Sequence, residues 1–161
     1  MTRPKLIGML IVIPILLLAV AIVIPCLMPA HGPANEASAV ANLRTINNAE
    51  ETYRAAYGGY ADSLANLGGP QPCVPSPATA CLIDQVLTSG VKSGYRFTAV
   101  GSNSVKGANT SYLAGAAPVV FGRGERRFCS NEKYLIRVDL NAERSTVPPD
   151  GAECAGFIAL K

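Results

Sequence analysis

Hydrophobic positions are distributed unevenly along the chain, and the first long segment of them is continuous. Residues 6–28 contain no charged side chain, and their least apolar side chain is the thiol of Cys26. As an α-helix these 23 residues would span roughly 34 Å, which is enough to cross a bilayer with some tilt. The pattern therefore predicts a transmembrane helix over residues 6–28.

The charges on either side of this segment predict its orientation. Arg3 and Lys5 precede it, whereas residues 29–39 contain one acidic residue and no Lys or Arg. Because basic flanks stay in the cytoplasm, we expect residues 1–5 to be cytoplasmic and the rest of the chain to lie outside. A cleaved secretory signal is the competing interpretation, but the segment is longer than a usual signal core and no small-x-small cleavage site follows it.

A helical period replaces the continuous apolar pattern after a short linker. Prolines and a glycine predict an irregular linker over residues 29–34, because proline removes a backbone donor and clashes with the preceding turn. Asn35 is a good N-cap, and Gly58 with Gly59 predicts that the helix ends near Tyr57. One stripe of this helix is apolar and should pack on the rest of the domain. The stripe consists of Val40, Leu43, Ile46, Tyr53 and Tyr57.

Alternation with a period of two dominates the second half of the chain and predicts strands. The predicted strands are residues 95–100, 111–114 and 134–139, with 119–121 and Phe128 as a further strand or its edges. Small and polar residues at 101–103 and 122–124 predict turns. Because helices precede strands without βαβ alternation, the fold class is α+β, with the amphipathic helix packed on a small antiparallel sheet over residues 35–161.

The segment between the helix and the sheet, residues 61–88, is irregular in pattern. Residues 84–87 predict a short helix. Four apolar side chains of this segment are expected to contact the core: Leu64, Leu67, Ile83 and Leu87.

The charge balance does not indicate a nucleic-acid partner. The chain has 14 basic and 11 acidic residues, and two of the basic ones, Arg3 and Lys5, precede the apolar segment. The densest basic cluster, Arg123, Arg126 and Arg127, contains Glu125 and predicts a solvated turn. No basic stripe exists, so nucleic acid is not a predicted partner. Membrane lipid is the predicted partner because of the apolar segment 6–28.

No catalytic or cofactor motif occurs in the sequence. It has one histidine, His31, and lacks the nucleophile-elbow, zinc-protease, phosphate-loop and dinucleotide-binding patterns. Glu50 and Glu51 are adjacent, but neighbouring helical residues point about 100° apart and do not share a site. We therefore expect neither enzyme activity nor a bound cofactor or metal.

Five cysteines indicate an oxidising compartment. Cys26 is interpreted as a small apolar residue at the membrane boundary, with acylation or an intermolecular disulfide as the alternative.

Cys73, Cys81, Cys129 and Cys154 allow three pairings, among which the sequence alone does not choose. Proximity favours Cys73–Cys81, which leaves Cys129–Cys154. Zinc is the alternative for these thiols, but no CxxC pair accompanies the single histidine.

The order of these elements, together with several short motifs, resembles the type IV pilin and type II secretion pseudopilin family. The resemblance is specific over residues 6–70 and compatible beyond. LIGMLIV is similar to the family's LIELLIV segment, and AIVIP to the stretch ending in its helix-kinking proline. The similar motifs are LIGMLIV at 6–12, AIVIP at 21–25, NEASAV at 35–40, LRTIN at 43–47, YGGY at 57–60 and GYRF at 94–97.

The resemblance implies a single-pass protein of a bacterial inner membrane with a periplasmic or extracellular domain. It implies pilin or secretion-apparatus proteins as partners, and a Cys129–Cys154 bond would be similar to the C-terminal loop disulfide of many pilins. Two departures stand against full pilin behaviour. Arg3 occupies the position of the glycine before the family's cleavage site, and Gly8 that of the glutamate that pairs with a neighbour's terminal amine.

We therefore expect a pilin-like structural or interaction protein that keeps its N-terminus, apart from ordinary methionine removal, and does not form filaments alone. An extracytoplasmic ligand-binding or sensing domain on the same scaffold is the alternative. A concave site with converging polar groups would favour that alternative, whereas a flat surface centred on the helix would favour assembly.

Overall fold

The computed structural model describes residues 31–120, 126–140 and 145–160. The predicted transmembrane helix, Cys26 and the predicted turn at 122–124 lie outside these residues. No helix within the described ranges is both long and apolar enough to cross a bilayer. The described part combines helices with one antiparallel sheet, which confirms the α+β class.

One long helix precedes a sheet whose strands follow one another in chain order. All neighbouring strands are antiparallel, so the sheet is a six-stranded meander in the order β1 to β6. The elements are α1 His31–Tyr57, α2 Leu64–Leu67, α3 Gln85–Thr88, β1 Val91–Lys92, β2 Tyr95–Val105, β3 Ala108–Pro118, β4 Phe128–Asn131, β5 Arg137–Val138, α4 Gly151–Gly156 and β6 Ile158–Ala159.

Helix α1 begins earlier than the sequence pattern predicts. It starts at His31, so residues 31–34 of the predicted linker are helical, and Asn35 lies inside the helix instead of capping it. Pro33 is compatible with this start because the first turn of a helix has no partner for its N–H groups anyway. The predicted end is confirmed: Gly58 has φ +82° and its N–H donates to the carbonyl oxygen of Arg54 at 2.8 Å.

The predicted turn at residues 101–103 is wrong, because the long hairpin of β2 and β3 continues past these residues. Those residues belong to β2, where Asn103 has a φ of +54°. The chain reverses at Lys106 and Gly107, with φ values of +52° and +84°. Two consecutive positive φ angles make the tight turn that matches the twist of a hairpin, and glycine adopts that conformation without strain.

The short strands at the other end of the sheet differ most from the prediction. Of the predicted strand 134–139 only Arg137–Val138 is in the sheet, because Tyr134 has a φ of +58° and cannot continue a ladder. Val119 and Val120 follow β3 without joining a strand, whereas Phe128 begins β4. No sequence pattern predicts the two-residue strands β1 and β6, which pair with β2 and β5 respectively.

The core lies between α1 and the sheet. Leu43 and Ile46 are fully buried, Tyr53 is nearly so, and Val40 and Tyr57 are half-buried against the same cluster, as expected for the predicted stripe. The four apolar residues of the intervening segment are buried as predicted. The sheet contributes Tyr95, Phe97, Ala99, Tyr112, Ala114, Ala116, Phe128 and Val138.

A second layer covers part of the opposite face of the sheet. A Cβ atom placed on Gly115 of β3 would lie 3.1 Å from Pro148, so the segment before α4 passes directly over the strand. Glycine is needed here for that close approach. Cys129 of β4 points to the same side and is bonded to Cys154 of α4. The domain therefore has three layers: α1, the sheet, and residues 145–157.

We predict that Leu43→Ala lowers the free energy of unfolding by about 2–5 kcal/mol, because it opens a cavity where a fully buried side chain packs on the sheet. Val86→Ala is the matched control, since Val86 is 56% exposed, and it should change stability by less than about 0.5 kcal/mol. Urea unfolding monitored by circular dichroism measures both, and equal effects would contradict the position of Leu43.

Candidate functional site

The disulfide favoured by cysteine proximity and the remaining pair are both present. Cys73 is bonded to Cys81 and Cys129 to Cys154, with Cα–Cα distances of 6.0 Å and 5.9 Å. The first closes the proline-rich loop over residues 74–80, and the second attaches α4 to the sheet. These four thiols therefore hold no zinc, and within the described ranges no group of His, Cys, Asp or Glu is arranged to bind a metal ion.

A buried charge network surrounds the second disulfide. Arg127 is 5% exposed and donates to Asp139 Oδ2 at 2.8 and 3.1 Å and to Glu153 Oε1 at 2.8 Å. Burial alone would lower the pKa of Arg127, but hydrogen bonds with Glu153 and Asp139 raise it overall. Glu153 also completes a capping box with Asp150 at the start of α4. The network therefore fixes α4 against β4 together with the disulfide.

The neighbouring Arg126 ties α1 to the sheet. Its Nη2 lies 2.6 Å from Glu36 Oε2, and its backbone N–H donates to Glu36 Oε1 at 2.8 Å. The prediction of a solvated turn is therefore wrong for Arg127, whose side chain is buried, whereas the side chain of Arg126 is 41% exposed and Arg123 lies outside the described residues. The sequence does not reveal these ion pairs because the carboxylates are distant along the chain, Glu36 being 90 positions from Arg126 and Glu153 26 positions from Arg127.

Polar side chains inside the core set the position of α1 on the sheet. Asn47 donates from Nδ2 to Ser130 Oγ at 2.8 Å and accepts from Tyr112 Oη at 2.9 Å, and all three residues are buried. Buried polar groups need such partners, because each unmade hydrogen bond costs the desolvation of the group. Sliding or rotating α1 would break both bonds.

Glu50 is the exception among the buried polar groups. Its side chain is 0% exposed, and Oε2 accepts from the N–H of Ala61 at 2.9 Å. Oε1 has no hydrogen-bond partner within the described part of the chain. Burial raises the pKa of Glu50 to about 7, although the Ala61 hydrogen bond works in the opposite direction.

Glu51 occupies a different environment, as the helical spacing predicts. It is ion-paired with Arg54 at 2.8 Å and accepts a hydrogen bond from Tyr134, which together lower its pKa. The two adjacent acids therefore do not form an acid–base pair, because one is buried in the core and the other lies at the surface.

An open groove of about 350 Å³ lies on the face of the sheet away from α1. The β2–β3 hairpin forms one side, the β4–β5 turn another, and Cys154 and Ala155 of α4 a third. Its polar lining includes Ser102, Ser111, Asn131, Glu132, Lys133 and Arg137. No sequence motif marks this groove, because its residues come from five elements, β2 to β5 and α4, that only the folded sheet brings together.

A second cleft of about 280 Å³ lies at the end of α1. Tyr53, Tyr57 and Tyr60 line it together with Asp62 and Pro77. Tyr53 is held in place by a hydrogen bond from its hydroxyl to the carbonyl of Pro77 at 2.8 Å. Tyr53 and Tyr60 are mainly core residues, since they are 7% and 6% exposed.

Comparisons of the chain with protein-family models, with curated proteins and with solved structures find no match. The described residues form an α+β domain with two disulfides.

We predict that the buried Glu50 makes stability fall as pH rises. Its pKa in the folded protein, about 7, exceeds its ordinary value of 4.5, so between these pH values the folded protein keeps a proton that the unfolded chain has released. The stabilisation that this proton gives is complete below pH 4.5 and is lost as the pH rises through 7. The shift corresponds to about 3 kcal/mol of unfolding free energy lost between these limits. Glu50→Gln should flatten this part of the pH profile, measured by urea unfolding from pH 4 to 8.

Glu51→Gln is the matched control for that experiment, since it makes the same chemical change one residue along α1 at the surface. The Glu51 variant should retain the decline in stability between pH 4.5 and 7. A wild-type profile without that decline would show that the carboxyl of Glu50 has a partner in solution.

We predict that the two disulfides differ in their contribution to stability. The bonded residues are 25 positions apart in Cys129–Cys154 and 8 apart in Cys73–Cys81. Replacing Cys129 and Cys154 by serine should cost about 2–5 kcal/mol, roughly 1 kcal/mol more than the same replacement of Cys73 and Cys81, because the longer loop loses more entropy on closure. Denaturant unfolding of the two double variants measures the difference, and the reverse order would contradict it.

Proposed function

We propose that this chain is a membrane-tethered, pilin-like structural and interaction protein with its domain outside the cytoplasm. The observation that carries the proposal is the packing of a single 27-residue helix on a meander sheet. In the sequence this helix directly follows the uncharged segment 6–28 and its basic N-terminal flank. A long N-terminal helix laid across an antiparallel sheet is the arrangement that the resemblance to pilins implies.

The two disulfides support an extracytoplasmic location, because such bonds persist in oxidising compartments and are rare in the cytosol. Cys129–Cys154 also closes the C-terminal part of the domain, as the C-terminal disulfide does in many pilins. A bacterial inner membrane with the domain in the periplasm is the setting that fits both features.

The outward face of α1 supports a role in interaction. Apart from Arg44 and Arg54, its exposed side chains are mostly small or uncharged and leave the helix accessible along its length, among them Ala34, Ala37, Ala41, Thr45, Asn48 and Thr52. A pilin or a component of a type II secretion apparatus is the partner that the proposal names. Because Arg3 and Gly8 replace the residues needed for cleavage and for terminal-amine pairing, we propose that the protein does not form filaments alone.

A ligand-binding or sensing domain is the second candidate function. The groove beside α4 favours it, because polar groups from the hairpin, the β4–β5 turn and β5 converge there. Ligand sites are concave and orient their ligands with a few polar groups, and volumes of roughly 300–1,000 Å³ are common. The two functions are compatible, since the groove and α1 lie on opposite faces of the sheet.

We predict that the full chain stays in the membrane pellet after carbonate extraction at high pH, and that a periplasm-dependent reporter fused after Lys161 is active. The variant L17R with L18R is the control, because each arginine at a helix centre costs about 2.5–3.5 kcal/mol of insertion free energy. It should release the protein or silence the reporter. Recovery of the wild-type chain in the soluble fraction would overturn the tether.

A further inference from the structure

Arg137 differs from the other arginines of the described domain that are at least partly buried. Arg126 is paired with Glu36, and Arg127 with Asp139 and Glu153. Arg137 is half-buried on β5 but forms no ion pair with any described residue. A partly desolvated cation without an anion is costly, so its position favours an anion from outside the domain.

The guanidinium of Arg137 is also held in a defined position. Its Nη1 donates to the carbonyl oxygen of Phe157 at 3.1 Å, just beyond α4. This bond uses one of the five N–H donors and leaves the others for a ligand. Arg137 lines the groove, so its remaining donors border a space of about 350 Å³. A planar guanidinium fixed at one nitrogen is prepared for a two-point contact with a carboxylate.

The other groove residues define the class of anion. Lys133 adds a second cation, and its side chain has no acidic partner among the described residues. Glu132 on the same rim adds one negative charge, which disfavours a dianion such as phosphate. Ser102 and Ser111, whose hydroxyls lie 2.9 Å apart, offer polar contacts to the rest of a ligand.

We propose that this groove binds a polar ligand bearing a single carboxylate, which Arg137 holds with Lys133 as the second cation. The inference rests on the second of the proposed functions and names its ligand class. The groove has room for a short peptide ending in a free carboxylate or for an acidic disaccharide, and these two sources share the same chemistry. The Cys129–Cys154 bond positions the α4 wall, so the groove depends on that disulfide.

The test uses the full chain, labelled with ¹⁵N in detergent micelles, and follows the Nε–H signal of Arg137 during titration. The peptide probes are N-acetyl-triglycine and its C-terminal carboxamide. The sugar probes are digalacturonate and neutral galactobiose, and inorganic phosphate tests preference for a dianion. At least one carboxylate probe should shift the Arg137 signal and bind roughly tenfold or more tightly than its neutral counterpart, as a charge-assisted pair predicts.

Arg137→Gln should weaken binding of the carboxylate probe roughly tenfold or more. Arg96→Gln is the matched control, because Arg96 is an exposed arginine on β2 that does not line the groove, and it should bind like the wild type. Lys133→Gln alters an exposed side chain and should weaken binding to a smaller degree. It keeps the test decisive if Arg137→Gln unfolds.

Equal binding of the neutral and carboxylate probes at the groove would overturn the carboxylate class and leave a ligand-binding function standing. Preference for phosphate, or unchanged affinity in folded Arg137→Gln, would also overturn the inference. Absence of binding by every probe at millimolar concentration would overturn both the inference and the ligand-binding function. The membrane tether is tested separately and is unaffected by these outcomes.

Discussion

The burial of one face of α1 against the sheet is the constraint on which the rest of the domain depends. Leu43 and Ile46 have no exposed surface, and the aromatic side chains of Tyr95 and Phe128 close the core from the sheet side. Because hydrophobic burial is not directional, it cannot by itself select one position of a helix on a sheet. The two hydrogen bonds that Asn47 forms with Ser130 and Tyr112 select one position of α1 on the sheet.

Charged groups complete the arrangement just before β4, where Arg126 and Arg127 precede Phe128. Arg126 joins α1 to the sheet on one side, and Arg127 joins α4 to it on the other, so two neighbouring residues attach both outer layers. Their side chains reach opposite faces of the sheet, that of Arg126 toward Glu36 of α1 and that of Arg127 toward Glu153 of α4. Glu50 stands apart because its Oε1 has no partner within the described residues, and burial raises the pKa of its carboxyl group.

The layered arrangement separates the surfaces on which the proposed functions rest. The accessible face of α1 is on one side of the sheet, and the groove bounded by α4 is on the other. A partner bound along α1 therefore need not compete with a ligand at Arg137. The disulfide Cys129–Cys154 links the sheet to the groove wall, so the oxidising compartment that it indicates is also a requirement of the groove.

Patterns set by local conformational and solvation preferences were readable from the sequence: the apolar stripe of α1, its end at Gly58, the α+β class and, through proximity, the pair Cys73–Cys81. The turn at Lys106 and Gly107, the two-residue strands β1 and β6, the partners of Arg126 and the burial of Glu50 were not. Each depends on which distant segments meet once the sheet has formed its register, and no local preference encodes that. The groove around Arg137 belongs to the same class, because tertiary packing alone brings its five elements together.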